Sequence, residues 1–418
     1  MGWLRRQTMV GIARGTVKRG VLTLVTAQAV VIAGVVAVDV YQRSRRTKRP
    51  GFPQPGTFHT TIAETETTVF TYGEDLFDAM IAAIDAAKDQ ILLETYIWKG
   101  DEVGLRFRDA VNRAADRGVD VFVIYDGFAN LVVNPFFYDF HPAVNTYRFP
   151  VIRPAIIFTN IRGTGLDHRK VLVVDDEVGF VGGYNIGTLY ATKWRDTHLE
   201  IRGPSVWELR EAFVSVWNIR AIPKRPELPD LSATYWEPRI RAVNNVPALL
   251  VFPIRGVYLD AINRAHKHIF ITTAYFIPDR QILDALLRAS RRGVDVRVIL
   301  PEDSNHVVSD WLSRGFYSSL ISAGVRILLY QNSMIHAKTA TVDGEWSTVG
   351  TANIDRLSLT GNYEINLEIF DRDLAATMEE IFAVDSSNSR ELTREEWESR
   401  HLVARASEII LAPLRPFL

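Results

Sequence analysis

The feature that most limits how this chain can fold is an internal duplication. Arg117-Gly-Val-Asp-Val121 recurs letter for letter as Arg292-Gly-Val-Asp-Val296. Each copy follows an amphipathic stretch, 104–116 or 280–291, and leads into an apolar run, 121–125 or 296–300. Strand-like runs at 91–98 and 269–277 come before those stretches. Further on, His168, Lys170, Asp175, Gly182, Asn185 and Glu200 stand at offsets 0, 2, 7, 14, 17 and 32. His336, Lys338, Asp343, Gly350, Asn353 and Glu368 repeat all six. At about one chance in twenty per fixed position, coincidence is negligible. Strand, helix, strand in each half predicts an α/β fold of two similar lobes related by a pseudo-twofold axis, each a mainly parallel sheet flanked by helices. The expected segments are a linker at 51–57, a first lobe at 58–220, a proline-rich connector at 221–240, a second lobe at 241–390 and a helical tail at 391–418.

The repeated residues point to chemistry. Taken alone, a His-x-Lys pair is most often an exposed strand pair, and duplication can also preserve purely structural residues. Neither explains two ionisable groups kept next to the apolar run 171–174. Positions i and i+2 of a strand face the same way, so His168 projects with Lys170 and His336 with Lys338. Gly182 and Gly350 follow short apolar strands and open turns where backbone can approach a ligand. Asn185 and Asn353 add neutral donors. Brought together by a pseudo-twofold axis, two imidazoles, two ammonium groups and two carboxamides suit a phosphodiester, whose oxygens they hold as charge builds. One imidazole can attack phosphorus while the other protonates the departing alcohol, and a pKa near neutrality allows both roles. The lysines supply the positive charge, so no metal and no cofactor is expected.

Composition narrows the partner. The net charge of −1 hides an asymmetry: residues 1–50 hold ten Lys/Arg against one acid, Asp39, leaving a net of −10 on the rest. A body that acidic is a poor general binder of nucleic acid. With no cysteine, disulfides and thiolate chemistry are excluded. The uncharged run 21–38 is just long enough to cross a bilayer as a helix. Basic clusters flank it, from Arg5 to Arg19 and from Arg43 to Arg49. It ends in Val-Asp-Val-Tyr rather than at a small-residue cleavage site. The expectation is a single-pass membrane anchor over 1–50 and a cell-membrane location, with orientation and oligomeric state open. The aromatic run Phe136-Phe-Tyr-Asp-Phe140 either packs in the core or touches acyl chains.

The strings His168-Arg-Lys-Val-Leu-Val-Val-Asp175 and His336-Ala-Lys-Thr-Ala-Thr-Val-Asp343 resemble the paired HKD motifs of the phospholipase D superfamily. Within it the chain is most similar to bacterial cardiolipin synthases, through Val181-Gly-Gly-Tyr-Asn-Ile186, Trp194-Arg-Asp-Thr-His198, Ala274-Tyr-Phe-Ile-Pro-Asp279 and Ala352-Asn-Ile-Asp-Arg-Leu-Ser358. The resemblance implies a covalent phosphohistidine, assigned to His168, with His336 as general acid and then base. It implies that Glu200 and Glu368 hold the other ring nitrogen of each histidine, and that Asp175 and Asp343 are structural, in ion pairs. Two departures stand out. The family's frequent Gly-Ser is Gly182-Gly183 and Gly350-Thr351, and one membrane span is visible where two are usual. The implied activity is phosphatidyl transfer, two phosphatidylglycerols giving cardiolipin and glycerol. A hydrolytic phospholipase D, a nuclease of the same superfamily and a non-catalytic membrane scaffold are the alternatives.

Overall fold

The computed structural model describes residues 22–38, 40–41, 51–151, 165–219, 226–232 and 237–417. The basic clusters flanking the apolar run, and parts of the connector, lie outside them. In chain order the first lobe contains β1 (Thr57–Ile62), β2 (Thr65–Phe70), β3 (Gln90–Thr95), β4 (Asp120–Asp126), β5 (Asn145–Phe149), β6 (Val171–Val174), β7 (Val178–Gly182), β8 (Trp194–Arg195) and β9 (His198–Arg202). The second contains β10 (Ile240–Asn245), β11 (His268–Thr272), β12 (Phe276–Ile277), β13 (Asp295–Pro301), β14 (Arg326–Tyr330), β15 (Met334–Ile335), β16 (Thr339–Val342), β17 (Trp346–Gly350), β18 (Ile354–Asp355), β19 (Glu364–Phe370) and β20 (Ser389–Glu391).

Each lobe is built on an eight-stranded sheet, in the orders β1-β2-β9-β7-β6-β3-β4-β5 and β10-β19-β17-β16-β11-β13-β14-β20. The sheets are mixed, which corrects the expectation of mainly parallel ones. Only β3-β4-β5 and β11-β13-β14 run parallel; every other neighbouring pair is antiparallel. The reason is connection length. Helices Glu102–Asp116 and Arg280–Arg291 provide the long crossovers that parallel neighbours require. Three residues, 175–177 or 343–345, join β6 to β7 and β16 to β17, and so short a link permits only a hairpin.

Asp175 and Asp343 make those hairpins. Both adopt positive φ, 53° and 57°. The Asp175 carboxylate accepts the backbone N–H groups of Lys88, Asp89 and Gln90 at 2.8–2.9 Å, and Asp343 those of His266, Lys267 and His268 at the same distances. They therefore tie the hairpin to the turn before β3 or β11, and these bonds replace the expected ion pairs. Gly182 and Gly350 also differ from expectation. An added Cβ would strike the adjacent strand, at Thr197 O and His198 Cα for Gly182 and at Ile365 O and Asn366 for Gly350. Close strand approach, rather than a ligand, excludes a side chain there.

The lobes share a core. Val181, Leu199 and Ile201 of the first sheet pack in one cluster with Val349, Ile365 and Leu367 of the second. Helices Val206–Ile219 and Arg372–Ser387 contribute Phe213, Trp217, Leu374 and Met378. Helices Arg394–Glu398 and Leu402–Leu411 occupy the tail. Residues 22–38 form a helix that buries Gln28 and Val35, with Val31 and Ile32 packed against Leu312 and Leu411, while Leu22, Val25, Val30 and Val38 are exposed. Among the described residues no helix is long and apolar enough to cross a membrane.

Candidate active site

The two His-x-Lys segments lead into β6 and β16 and meet where the lobes join. The junction is reciprocal. His168 N donates to Tyr363 O at 3.0 Å, and His336 N donates to Arg195 O at 2.7 Å. Tyr363 and Arg195 each stand 27 places after the histidine of their own lobe. The same exchange governs the rings. His168 Nδ1 lies 3.0 Å from both Glu364 carboxylate oxygens, and His336 Nδ1 lies 2.6 Å from Asp196 Oδ2. Asp196 follows His168 by 28 residues and Glu364 follows His336 by 28. Each imidazole is thus oriented by the acid of the opposite lobe.

This corrects the assignment of Glu200 and Glu368. Both sit four residues farther along, roughly 13 Å on an extended strand. Glu200 pairs with Arg202, and Glu368 with Arg241 and with Trp346 Nε1 at 3.1 Å. Offset 28 carries Asp in one half and Glu in the other, so a search for identical residues passes over it. Tolerance for carboxylate exchange would have found it. Neighbouring residues compensate for the difference in length. Gly183 leaves room for the Asp196 carboxylate, which an added Cβ would strike. At the equivalent position Thr351 carries a hydroxyl that donates to Glu364 Oε2 at 2.5 Å. The departures Gly183 and Thr351 are therefore each matched to an acid.

Lys170 Nζ donates to His168 O at 2.7 Å, and Lys338 Nζ to His336 O. Tyr96 stands edge-on to the His168 ring at 4.7 Å, with Lys170 Nζ 5.2 Å from its own ring centre. Trp194 lies 5.0 Å from the His336 ring. Asn185 is buried, and its Oδ1 has no hydrogen-bond partner among the described residues; Asn353 Oδ1 accepts from Thr273 Oγ1 at 3.5 Å. His198 is buried with both ring nitrogens unpartnered among the described residues.

Burial dominates the electrostatics. Desolvation, helped by Lys338, lowers Lys170 to about 7, and desolvation lowers Lys338 to about 8. Burial and Lys338 bring His336 to about 3; burial and both lysines push His168 well below its usual range. The acids differ. Burial raises Glu364 to about 8, whereas Lys338 and His336 overcome burial and hold Asp196 below the usual carboxylate range. The His336–Asp196 pair therefore holds a neutral imidazole against a carboxylate. The His168–Glu364 pair keeps one more proton, shared across its hydrogen bond. Two buried lysines share one ionised carboxylate, Asp196, a balance of charge that suits an anionic ligand.

The family model described as "Cardiolipin synthase, PLD-like domain" matches residues 80–217 and 258–386. A protein named cardiolipin synthase, from Listeria monocytogenes serotype 4b (strain CLIP80459), is 34% identical over 371 residues, covering 85% of this chain and 76% of its own. The chain belongs to the cardiolipin synthase family of phospholipase D-like proteins. The major cardiolipin synthase ClsA of Bacillus subtilis (strain 168) is 35% identical over 367 residues, covering 84% of this chain and 75% of its own. Among solved structures, a phosphatidylserine synthase from Haemophilus influenzae Rd KW20 shares the fold with a TM-score of 0.66 at 16% identity, over 86% of this chain and 94% of that one.

Proposed function

We propose that the protein is a phosphatidyltransferase that makes cardiolipin and glycerol from two molecules of phosphatidylglycerol. The observation that carries this reading is the reciprocal pairing of two imidazoles with two carboxyl groups beside two buried lysines, in a chain of this family. The carboxyl group on Nδ1 orients each ring and leaves Nε2 to react. Nε2 of His168 attacks phosphorus, and the bond from phosphorus to the glycerol headgroup oxygen breaks. With the anionic phosphodiester bound, His336 takes up a proton from solvent to become the imidazolium that Asp196 stabilises, and its Nε2–H passes that proton to the departing oxygen. A hydroxyl of the second phosphatidylglycerol then returns a proton to His336 and attacks phosphorus, freeing His168. Lys170 and Lys338 balance the charge on the phosphoryl oxygens. Asn185 and Asn353 are read as further donors to the substrate.

The greater exposure of the His168 side chain, 12% against 5% for His336, favours it as nucleophile. The exchanged assignment draws support from the acids, since the pair with Glu364 retains the proton that a general acid needs. Trapping the phosphoenzyme and mapping the modified histidine decides between them. Residues 1–50 are read as a membrane anchor, in keeping with the exposed apolar side chains of 22–38.

The product decides between synthase and hydrolase. Water far outnumbers headgroup hydroxyls, so transfer wins only through positioning, which supplies effective molarities of about 10⁵ M or more. With labelled phosphatidylglycerol the main products are expected to be cardiolipin and glycerol, with added glycerol driving the reaction backward. Phosphatidic acid as the dominant product, indifferent to added alcohol, would leave a phospholipase D.

A further inference from the structure

The segment after β4 is held to the site from inside and bare outside. Asp126 Oδ2 accepts from Asp167 N at 3.1 Å, next to His168. Asn130 Oδ1 accepts from Trp98 N at 2.9 Å, and its Nδ2 donates to Tyr96 O at 2.8 Å, so the loop is tied to the ring that covers His168. Tyr138 Oη donates to Trp98 O at 2.7 Å, and Phe137 packs on the Trp98 ring. Between these ties, Phe128, Leu131, Val132 and Phe136 are exposed, Val132 to 84% and Phe136 to 85%. A loop fixed this firmly has not exposed two aromatic rings for want of anchoring.

Topology puts a second apolar group at the same end of the molecule. Asn245, the last residue of β10, pairs with Glu364, the acid on His168. The turn that follows exposes Leu249, Leu250 and Val251. Charge at this end includes exposed Arg148, beside Gly127. The far end of the first sheet is polar by contrast. Its turns carry Lys88, Asp89, Asp175, Asp176 and Glu177. The loop after β13, equivalent to the one after β4, is Glu302-Asp-Ser-Asn-His306, so the apolar loop is special to the first lobe.

From this placement we infer that the loop 127–137, with 249–251 at the same end, docks into the surface of a phospholipid bilayer and turns the mouth of the site toward the headgroups. The inference rests on the phospholipid reading of the site. It names bilayer as the occupant because such side chains reach about 5–10 Å into the interface, past the level of the phosphodiesters, and so bring the mouth of the site to the reacting group of a diacyl lipid. A cationic group beside the apolar ones fits an anionic headgroup layer. Sequence alone left the aromatic run open between core and acyl-chain contact. The structure divides it, Phe137 inward and Phe136 outward.

The absence of native cysteine permits a single reporter in the full chain. Phe136→Cys and, as the far-end control, Glu177→Cys are each labelled with an environment-sensitive fluorophore. Each protein is reconstituted with phosphatidylcholine–phosphatidylglycerol vesicles carrying a nitroxide on the acyl chain. Any tether at the N-terminus holds both labels equally near the vesicle. The label at 136 is expected to shift blue and be quenched severalfold more than the label at 177; Val132→Cys repeats the test should Phe136→Cys misfold. Equal quenching overturns the inference. So does a blue shift that needs no lipid and grows with protein concentration, which would mark contact with a second copy. In parallel, Leu131→Ser/Phe136→Ser is expected to lower the ratio of turnover on vesicles to turnover on short-chain monomeric phosphatidylglycerol about tenfold or more. An unchanged ratio counts against docking. Absence of turnover on the monomeric lipid even in the parent protein would instead overturn the catalytic reading, and the quenching comparison would then decide docking by itself.

Discussion

At the residue scale, the site depends on which atom of each ring is held. His168→Ala and His336→Ala are each expected to lose about 10⁴-fold or more in kcat, since groups that act as a unit fail together. About half the activity in either variant would mean two independent sites. Asp196→Asn and Glu364→Gln keep the shape but place an amide where a carboxyl orients the ring, and a loss of about 10²-fold is expected from each. Glu200→Gln and Glu368→Gln, whose carboxylates face arginines, are expected to stay within a few-fold of the parent. Steady-state rates on dispersed phosphatidylglycerol read all six. The lysines set the pH response. Both are charged at pH 6; rising pH discharges Lys170 near 7 and then Lys338 near 8. A bound phosphodiester favours the ammonium forms and raises both values. So kcat/KM, which reports the free enzyme, is expected to fall above about pH 7, while kcat holds to higher pH. Parallel decline of the two would remove the lysines from anion binding.

At the element scale, two buried ion pairs fix the segments that carry these groups. Arg169, between His168 and Lys170 in sequence, points away from them and grips Glu94 of β3 through Nε at 3.0 Å and Nη2 at 2.6 and 2.8 Å, with Nη1 on Ala212 O at 2.8 Å. Arg195 of β8 holds Asp385 of the second lobe at 2.8 and 2.9 Å. Removing one partner strands the other charge in the buried interior, so Glu94→Ala and Asp385→Ala are each expected to cost about 3–5 kcal/mol of stability. Denaturant titration measures this, and a change under 1 kcal/mol would refute it. What the sequence disclosed follows from the same layout. The parallel units were legible because helix and strand periods alternate there, and the His-x-Lys segments because their His and Lys recur at the same spacing, although they precede β6 and β16 rather than lying within them. The antiparallel majority was hidden in two three-residue turns. The orienting acids were passed over because offset 28 exchanges Asp for Glu, and their crossing to the histidine of the opposite lobe is a relation that spacing within one half does not reveal. Asp175 and Asp343 read as structural from their place at strand ends, but the backbone donors they satisfy belong to distant turns.

At the scale of the whole molecule, the exchange of acids makes each half incomplete. A free first lobe would keep His168 without Glu364, and a free second lobe His336 without Asp196. Separation would also expose the apolar faces of β7, β9, β17 and β19, including Val181, Leu199, Val349 and Leu367, which share one core. Each of these side chains is worth roughly 1.5–3 kcal/mol when fully buried, so neither half is expected to be stable in isolation. The proline-rich connector, 221–240, offers a place to divide the chain. Two halves cut there and expressed separately are expected to be insoluble and inactive; expressed together they should associate and recover activity. Pairing a His168→Ala first half with an intact second half should then give an inactive complex of unchanged assembly, because His168 is the imidazole that Glu364 orients. Measurable turnover by either half alone, at a rate independent of its partner, would show that one His-x-Lys segment suffices and that the reciprocal acids serve assembly rather than chemistry.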